Sequence, residues 1–322
     1  MRQRLPALVS LVAVAAVLTA LPFVLSSYNT SLVTQVGIFF IAVLGLNILT
    51  GYSGQISIGH GAFMAIGGYT TAVMSRDHHT DLIVTMLMAL AICFVLGLLV
   101  GIPALRLSGV YLALATFALA ISIPQLPLQW STFLGGTGGV QSSNPDVRFL
   151  WHTAPAMPER WLYGTAWAAA ALLFLAAWLI LRGRVGRAFR AIRDSEIAAT
   201  ASGVELPVYK TLAFGISAAY AGVAGSLFVL ATNGFAQPTE FGVILSLQLL
   251  VGAAVAGLGS LWGVLVGAAF VGLLPQVSTS VPVIGSDHGR DVVFGMMVVI
   301  VMLLLPEGIA GLLARLRLLV RA

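Results

Sequence analysis

Residues 5–75 contain no Asp, Glu, Lys or Arg. A soluble domain carries about 25% charged residues, so an uncharged run of this length belongs in hydrocarbon. At about 20 apolar residues per crossing, it has room for three helical spans, expected at residues 6–25, 32–50 and 55–74. The same reasoning places one span each at 82–105, 109–128, 161–181 and 211–239, two within 241–286, and a short last one at 292–306. Backbone groups in lipid must pair within the protein. The expected fold is therefore an all-α, polytopic membrane bundle of about ten spans, forming one domain over residues 1–322. Composition agrees, since 59% of the chain is hydrophobic and 8% charged, with a mean hydropathy of +1.01.

The one long polar passage, residues 182–210, sets the expected orientation. It carries Arg182, Arg184, Arg187, Arg190 and Arg193, and short basic loops resist translocation, so it is placed in the cytoplasm. With the amino terminus inside, the alternation of spans puts 12 basic residues on the cytoplasmic side and four outside. An even number of spans then returns the carboxyl terminus to the cytoplasm. The amino-terminal apolar run is longer than the core of a cleaved leader and lacks a clean small-x-small site, so it is taken as a span. The formal charge of +5 follows from this topology and does not point to nucleic acid. A single cysteine, Cys93, rules out an internal disulfide.

Two Gly-rich stretches interrupt the helical pattern. Residues 51–73, GYSGQISIGHGAFMAIGGYTTAV, hold six glycines, and residues 251–270, VGAAVAGLGSLWGVLVGAAF, hold five. Broken or re-entrant backbone at membrane depth survives only where protein or a watered cavity surrounds it. If both stretches cross only partly, the span count falls from ten to eight. Asn47, Tyr52, Gly54, Gln55, Ser57, Gly59 and His60, with Gly257, Gly259 and Ser260, are the candidate lining of a passage. The alternative is close helix packing, with hydroxyls and amides bonding across to neighbours. A helix end carries about half a unit charge, a candidate means of easing a zwitterion past Gly54 and Gly59.

Other chemistries are disfavoured. The interiors of the expected spans hold no Asp, Glu, Lys or Arg, which argues against a proton-coupled carrier, while sodium coupling through carbonyls stays open. A phosphate-binding loop needs Gly-Lys-Ser/Thr, and the only lysine, Lys210, follows Tyr209. Any ATP would be bound by another subunit. His78 and His79, beside Asp77 and Asp81, are taken as a solvated loop and not a metal site. No nucleophile and base stand at a catalytic spacing.

Within the polar passage, Val185, Phe189, Ile192 and Ala199 recur at helical spacing. This predicts a short amphipathic helix over residues 186–202, with Arg190 and Asp194 as an i, i+4 pair. Such a helix suits anionic headgroups or a groove on a cytoplasmic partner.

The passage and the span after it, GRAFRAIRDSEIAATASGVELPVYKTLAFGISAAYAGVAGSL, resemble the coupling region of LivM-type permeases, the membrane subunits of branched-chain amino acid ABC importers. LNILTGYSGQISIGHGAFMAIGGY, LRLSGVYLALATFALA, GGTGGV, GLGSLWG and LLLPEGIAGL are similar to the same family, so the matches run from residue 46 to residue 312. The resemblance implies a permease of the bacterial inner membrane that contacts membrane lipid and holds no cofactor of its own. It implies a second, LivH-type permease, two cytoplasmic ATPases that bind ATP and Mg, and a periplasmic binding protein that delivers substrate. It maps the coupling motif onto Glu196, Ala198, Ala199 and Gly203, within a coupling segment that includes Arg187, Arg190, Arg193 and Asp194. Ile197 departs from the general importer pattern by separating the Glu from the Ala pair. The implied mechanism is alternating access. Branched-chain amino acids are the expected substrate, with urea or short amides as alternatives, and a passive channel or ion-coupled carrier as the reading from another class.

Overall fold

The computed structural model describes residues 21–22, 25–78, 80–142 and 158–279, together with 295–296, 299 and 303. The long apolar runs form helices because only the helix satisfies every backbone group within one segment. In chain order these are α1 Ser27–Leu46, α2 His60–His78, α3 Leu82–Ala104, α4 Val110–Ser122, α5 Pro158–Arg182, α6 Arg184–Asp194, α7 Glu196–Ala201, α8 Leu206–Ala231, α9 Val243–Ala256 and α10 Gly263–Thr279. Short helical turns at Ile123–Gln125, Leu126–Gln129 and Ser131–Leu134 follow α4. Two short strands, β1 Val140–Gln141 and β2 Phe235–Ala236, pair antiparallel with Val140 opposite Ala236 and Gln141 opposite Phe235.

Among the described residues, six stretches are long and apolar enough to cross a bilayer: Ser27–Tyr52, Leu82–Ala104, Val110–Gln129, Glu159–Arg182, Leu206–Ala231 and Pro238–Ala256. They overlap the expected spans at 32–50, 82–105, 109–128, 161–181 and 211–239, and the first of the two within 241–286. α2 carries Arg76 and Asp77 in its last turn, and the apolar part of α10, Gly263–Leu273, is shorter. The expected spans at 6–25 and 292–306 lie largely outside the described residues. What the structure supplies is a polytopic helical bundle, not a count of ten.

α8 is the axis of this bundle. Of its most apolar stretch 94% is buried, against 22% for α3 and for α5. α1, α2 and α3 pack around α8, α5 and α10 pack on α1, and α9 packs on α10. Small residues set the spacing of the central seam. A side chain on Gly67 of α2 would run into the Gly222 carbonyl of α8, and one on Gly225 into the Met64 carbonyl. Across the same seam Thr71 Oγ1 donates to Ser226 Oγ at 2.7 Å. Lipid offers no hydrophobic drive between helices, so close contact and such hydrogen bonds carry the packing. On the outside, Leu87, Val95 and Leu99 of α3 are exposed, which suits a lipid-facing surface.

Candidate functional site

The bundle has two distinct ends. One gathers the arginines of α6 with the chain between α1 and α2 and the turn between α9 and α10. The other gathers β1, β2 and the Pro238–Phe241 turn. The residues singled out in the sequence fall almost entirely on the first.

At that end α1 does not stop at Leu46 but widens into a π-helical turn, Asn47–Tyr52, before irregular backbone over residues 53–59. Such widenings recur at functional positions in helices. Asn47 is fully buried, and its side-chain amide reads the backbone of the other Gly-rich stretch. Its Nδ2 donates to the Ser260 carbonyl at 2.9 Å, and its Oδ1 accepts from the Gly259 amide at 2.9 Å. The two stretches, more than 200 residues apart in sequence, are thus clasped by one side chain. The clasp demands small residues around it. A side chain on Gly51 would strike Asn47 Oδ1 and the Gly259 nitrogen, and Gly259 itself holds a φ of +82° that favours glycine.

Arg193 enters this joint from α6. Its Nη1 donates to the Gly51 carbonyl at 2.9 Å, and its Cα, Cβ and Cγ lie against Gly54, where φ is +75°. A Cβ on Gly259 would stand 3.0 Å from the same Nη1. One arginine of the basic passage therefore touches both Gly-rich turns. A second tie runs through Lys210, whose Nζ meets Glu196 Oε1 at 2.6 Å with the lysine side chain almost wholly enclosed. A buried ammonium requires such a partner. Gln55 Nε2 completes the link, donating to Ser53 Oγ and to the Lys210 carbonyl at 3.4 Å, while Thr50 Oγ1 donates to the Gln55 carbonyl at 3.1 Å.

The start of α2 is held by hydroxyls. The Ile58 amide donates to Thr116 Oγ1 at 2.9 Å, the Gly59 amide to Ser57 Oγ at 3.3 Å, and the Gly61 amide to Ser246 Oγ at 2.9 Å. Helix starts leave unpaired N–H groups, and in this arrangement neighbouring hydroxyls occupy those at and beside Gly59. The His60 ring is buried, with Nδ1 3.5 Å from Ser217 Oγ of α8. Ser260 Oγ accepts from the Gly263 amide at 3.1 Å and starts α10, and Gly257, at a φ of +84°, ends α9. Tyr52 is buried in the core.

The basic passage folds as two helices and not one. α6 ends at Asp194, Ser195 adopts extended backbone, and Ser195 Oγ accepts from the Ala198 amide at 3.3 Å to start α7. Phe189 and Ile192 are buried and Val185 half-buried, as the helical spacing predicts, with Phe189 edge-on to Tyr209. The expected Arg190–Asp194 pair does not form. Arg190 Nη1 donates to the Leu181 carbonyl at 3.4 Å, and Asp194 pairs with its neighbour Arg193, because the chain turns away immediately after Asp194. Arg187, Asp194, Glu196, Ala198 and Gly203 face outward, and Ala199 is buried. Ile197, the residue that departs from the general pattern, is 85% exposed.

Sequence reasoning passed over the opposite end. Glu240, placed there between spans, lies in the first turn of the Pro238–Ala256 stretch, with one carboxylate oxygen buried. The available signal was its isolation, since it is the only acidic residue between Glu205 and Asp287.

Residues 28–302 match the protein family described as "Branched-chain amino acid transport system / permease component". The chain is 31% identical over 319 residues to the high-affinity branched-chain amino acid transport system permease protein LivM of Salmonella typhimurium strain LT2, covering 93% of this chain and 74% of that one. LivM of Escherichia coli K12 matches with the same identity and coverage. The permease protein LivH of Escherichia coli K12 is 30% identical over 146 residues, 45% of this chain and 46% of its own. No solved structure matches the chain.

Proposed function

Because the chain belongs to the family of branched-chain amino acid transport system permease components, we propose that it is the membrane subunit of an ATP-driven importer of branched-chain amino acids. It is a multi-pass membrane protein. In this reading it spans the bacterial inner membrane eight to ten times as one domain, with both termini and the arginine end in the cytoplasm, in line with the positive-inside rule. A LivH-type permease stands beside it, two ATPase subunits hold ATP and Mg below it, and a periplasmic binding protein delivers substrate from above.

The observation that carries the reading is the contact of Arg193 with both Gly-rich turns. A partner that moves α6 and α7 moves that guanidinium, and the guanidinium holds the π-helical end of α1 and, through Asn47, the turn between α9 and α10. The outward-facing Arg187, Asp194, Glu196 and Ala198 are offered to the ATPase, while Arg190, Ala199 and Gly203 hold the two helices in shape. Asn47, Tyr52, Gln55, Ser57 and His60 belong to the region that must open when the clasp releases.

The test is leucine uptake into proteoliposomes holding this chain with its partner permease, ATPases and binding protein. Uptake is expected to require ATP and binding protein. Arg193→Ala is expected to lower uptake about tenfold while hydrolysis continues, since coupling elements contribute up to about 2 kcal/mol. Leucine entry down its gradient without ATP would replace the importer reading with a carrier. Uptake of urea or a short amide in place of leucine would change the substrate and keep the mechanism.

A further inference from the structure

Ile197 is the most exposed large apolar side chain among the described residues, at 85%. Val110, Tyr111 and Leu172 are also strongly exposed, but they lie in stretches long and apolar enough to cross a bilayer, where lipid covers them. Ile197 lies instead in the polar passage, on α7, among exposed Ser195, Glu196 and Ala198. A single exposed aliphatic group needs no explanation by itself, but here a second apolar feature adjoins it. Thr200, one turn on from Ile197, is exposed as well, while Ala199 on the opposite side of α7 is buried. Thr200 also borders an open hollow of about 470 Å³ walled by Val204, Leu206, Pro207 and Val208, with Glu205 among them. α7 and the start of α8 thus present a knob and, beside it, a hollow.

Charge decides what covers this surface. A helix held on anionic headgroups carries Lys and Arg on its polar face, and α7 carries neither. Its charged residue is Glu196, with Asp194 and Glu205 exposed before and after it. The nearby cations are turned into the permease: Lys210 Nζ meets Glu196 Oε1, and Arg193 Nη1 donates to the Gly51 carbonyl. The outer surface beside Ile197 is therefore acidic, which repels anionic lipid and suits a protein surface of opposite charge.

We propose that Ile197 is the anchor through which α7 docks onto the cytoplasmic ATPase, its side chain seated in an apolar pocket of that subunit with a basic rim. The assignment rests on the importer reading and separates two roles within it. Glu196, the residue matched to the coupling motif, is tied to the permease's own Lys210, and Ile197, the residue that departs from the general pattern, carries the docking.

The experiment titrates purified ATPase onto this chain paired with its partner permease in lipid nanodiscs. It compares wild type with Ile197→Ala, Ile197→Leu and Glu205→Lys, reading the half-saturating ATPase concentration and the Tm of the permease pair alone. Ile197→Ala is expected to raise half-saturation about tenfold, since burying an aliphatic side chain of this size is worth at least a decade of affinity. Ile197→Leu should stay within about threefold of wild type, Glu205→Lys should weaken binding several-fold at low salt, and no Tm should change. In a second arm Ile197→Cys is treated with a water-soluble maleimide, with buried Cys93 as background; labelling is expected without ATPase and protection with it. Equal half-saturation for Ile197→Ala and wild type overturns the anchor and leaves the importer reading standing. A fall in Tm for Ile197→Ala makes the residue structural, and resistance of Ile197→Cys to maleimide before ATPase is added puts it in the lipid surface; either outcome overturns the docking. Unchanged or tighter binding by Glu205→Lys removes the charge match and overturns it too. Failure of wild type to bind the ATPase overturns the anchor and the importer reading together.

Discussion

The two ends of the bundle differ in how far their polar groups are paired. At the arginine end Asn47, Thr50, Gln55, Arg193 and Lys210 all have partners, most of them backbone atoms of another segment, while His60 Nε2 is buried without one. At the other end Tyr69, Ser142 and Glu240 each keep a buried oxygen with no partner. The paired end resists change in any one contact without the others, which is what a mechanical linkage needs. The unpaired end is incomplete by itself. Departures from polar satisfaction often fall where a protein has function to perform, and the proposed coupling role lies at the better-paired end.

The comparison is broken most forcefully through glycine. Gly51→Ala places a methyl group on Asn47 Oδ1 and the Gly259 nitrogen, and the backbone on both sides is held by the clasp. Overpacking typically costs about 1–3 kcal/mol, and a clash with fixed backbone is expected at the top of that range or above it. The complex should lose several degrees of Tm and nearly all uptake. Gly138→Ala, at the far end, meets nothing within 4 Å and is expected to leave Tm and uptake alone. Equal effects at the two positions would remove the distinction between a tight joint and an open end.

Much of the fold was legible before any geometry. Uncharged lengths located α1, α3, α5 and α8 because a bilayer leaves a helix little alternative. Helical spacing correctly put Phe189 and Ile192 inward. The joint was only half legible. Its residues were picked as polar or Gly-rich interruptions, yet nothing local in the sequence says that Asn47 grips residues 259 and 260, because a contact across 212 positions leaves no periodicity. The break at Ser195 was missed because Ser195 serves a helix start as readily as a helix surface. Glu240 falls between two expected spans and drew no reading of its own, since only the burial of Phe241 shows that its neighbour is drawn in.

A smaller effect separates the partners of the Glu196–Lys210 pair. Lys210 is enclosed, with 8% of its side chain exposed, and Glu196 is half open, with 47% exposed. Glu196→Ala strands an ammonium in a poorly solvated place and is expected to cost about 2 kcal/mol, below the 3–5 kcal/mol of a fully buried pair, because the flexible lysine can reach toward water. Lys210→Met leaves only a carboxylate that water can solvate and should cost less than 1 kcal/mol, as for an exposed pair. Chemical denaturation of the two variants decides it. A larger cost for Lys210→Met would mean that the ammonium is held by more than Glu196, and that the Glu196–Lys210 pair is not the main tie between α7 and α8.

The gentlest test makes one chemical change at two buried serines, one paired and one not. Ser246 and Ser142 are both buried, and replacing either by Ala removes one hydroxyl. Ser246 Oγ accepts from the Gly61 amide at 2.9 Å, so its loss leaves a buried N–H unpaired at the start of α2, costing about 1–3 kcal/mol. Ser142 Oγ has no partner, and its backbone bond to the Gly234 carbonyl at 2.9 Å survives the substitution. Ser142→Ala should therefore be neutral or stabilising by up to about 1 kcal/mol, as expected when an unsatisfied buried hydroxyl is removed. Opposite signs in Tm would confirm that satisfaction of polar groups, and not burial, sets the cost at these two positions. If both variants lose stability alike, a donor reaches Ser142 in the assembled importer, and the unpaired end is completed there by a neighbouring subunit.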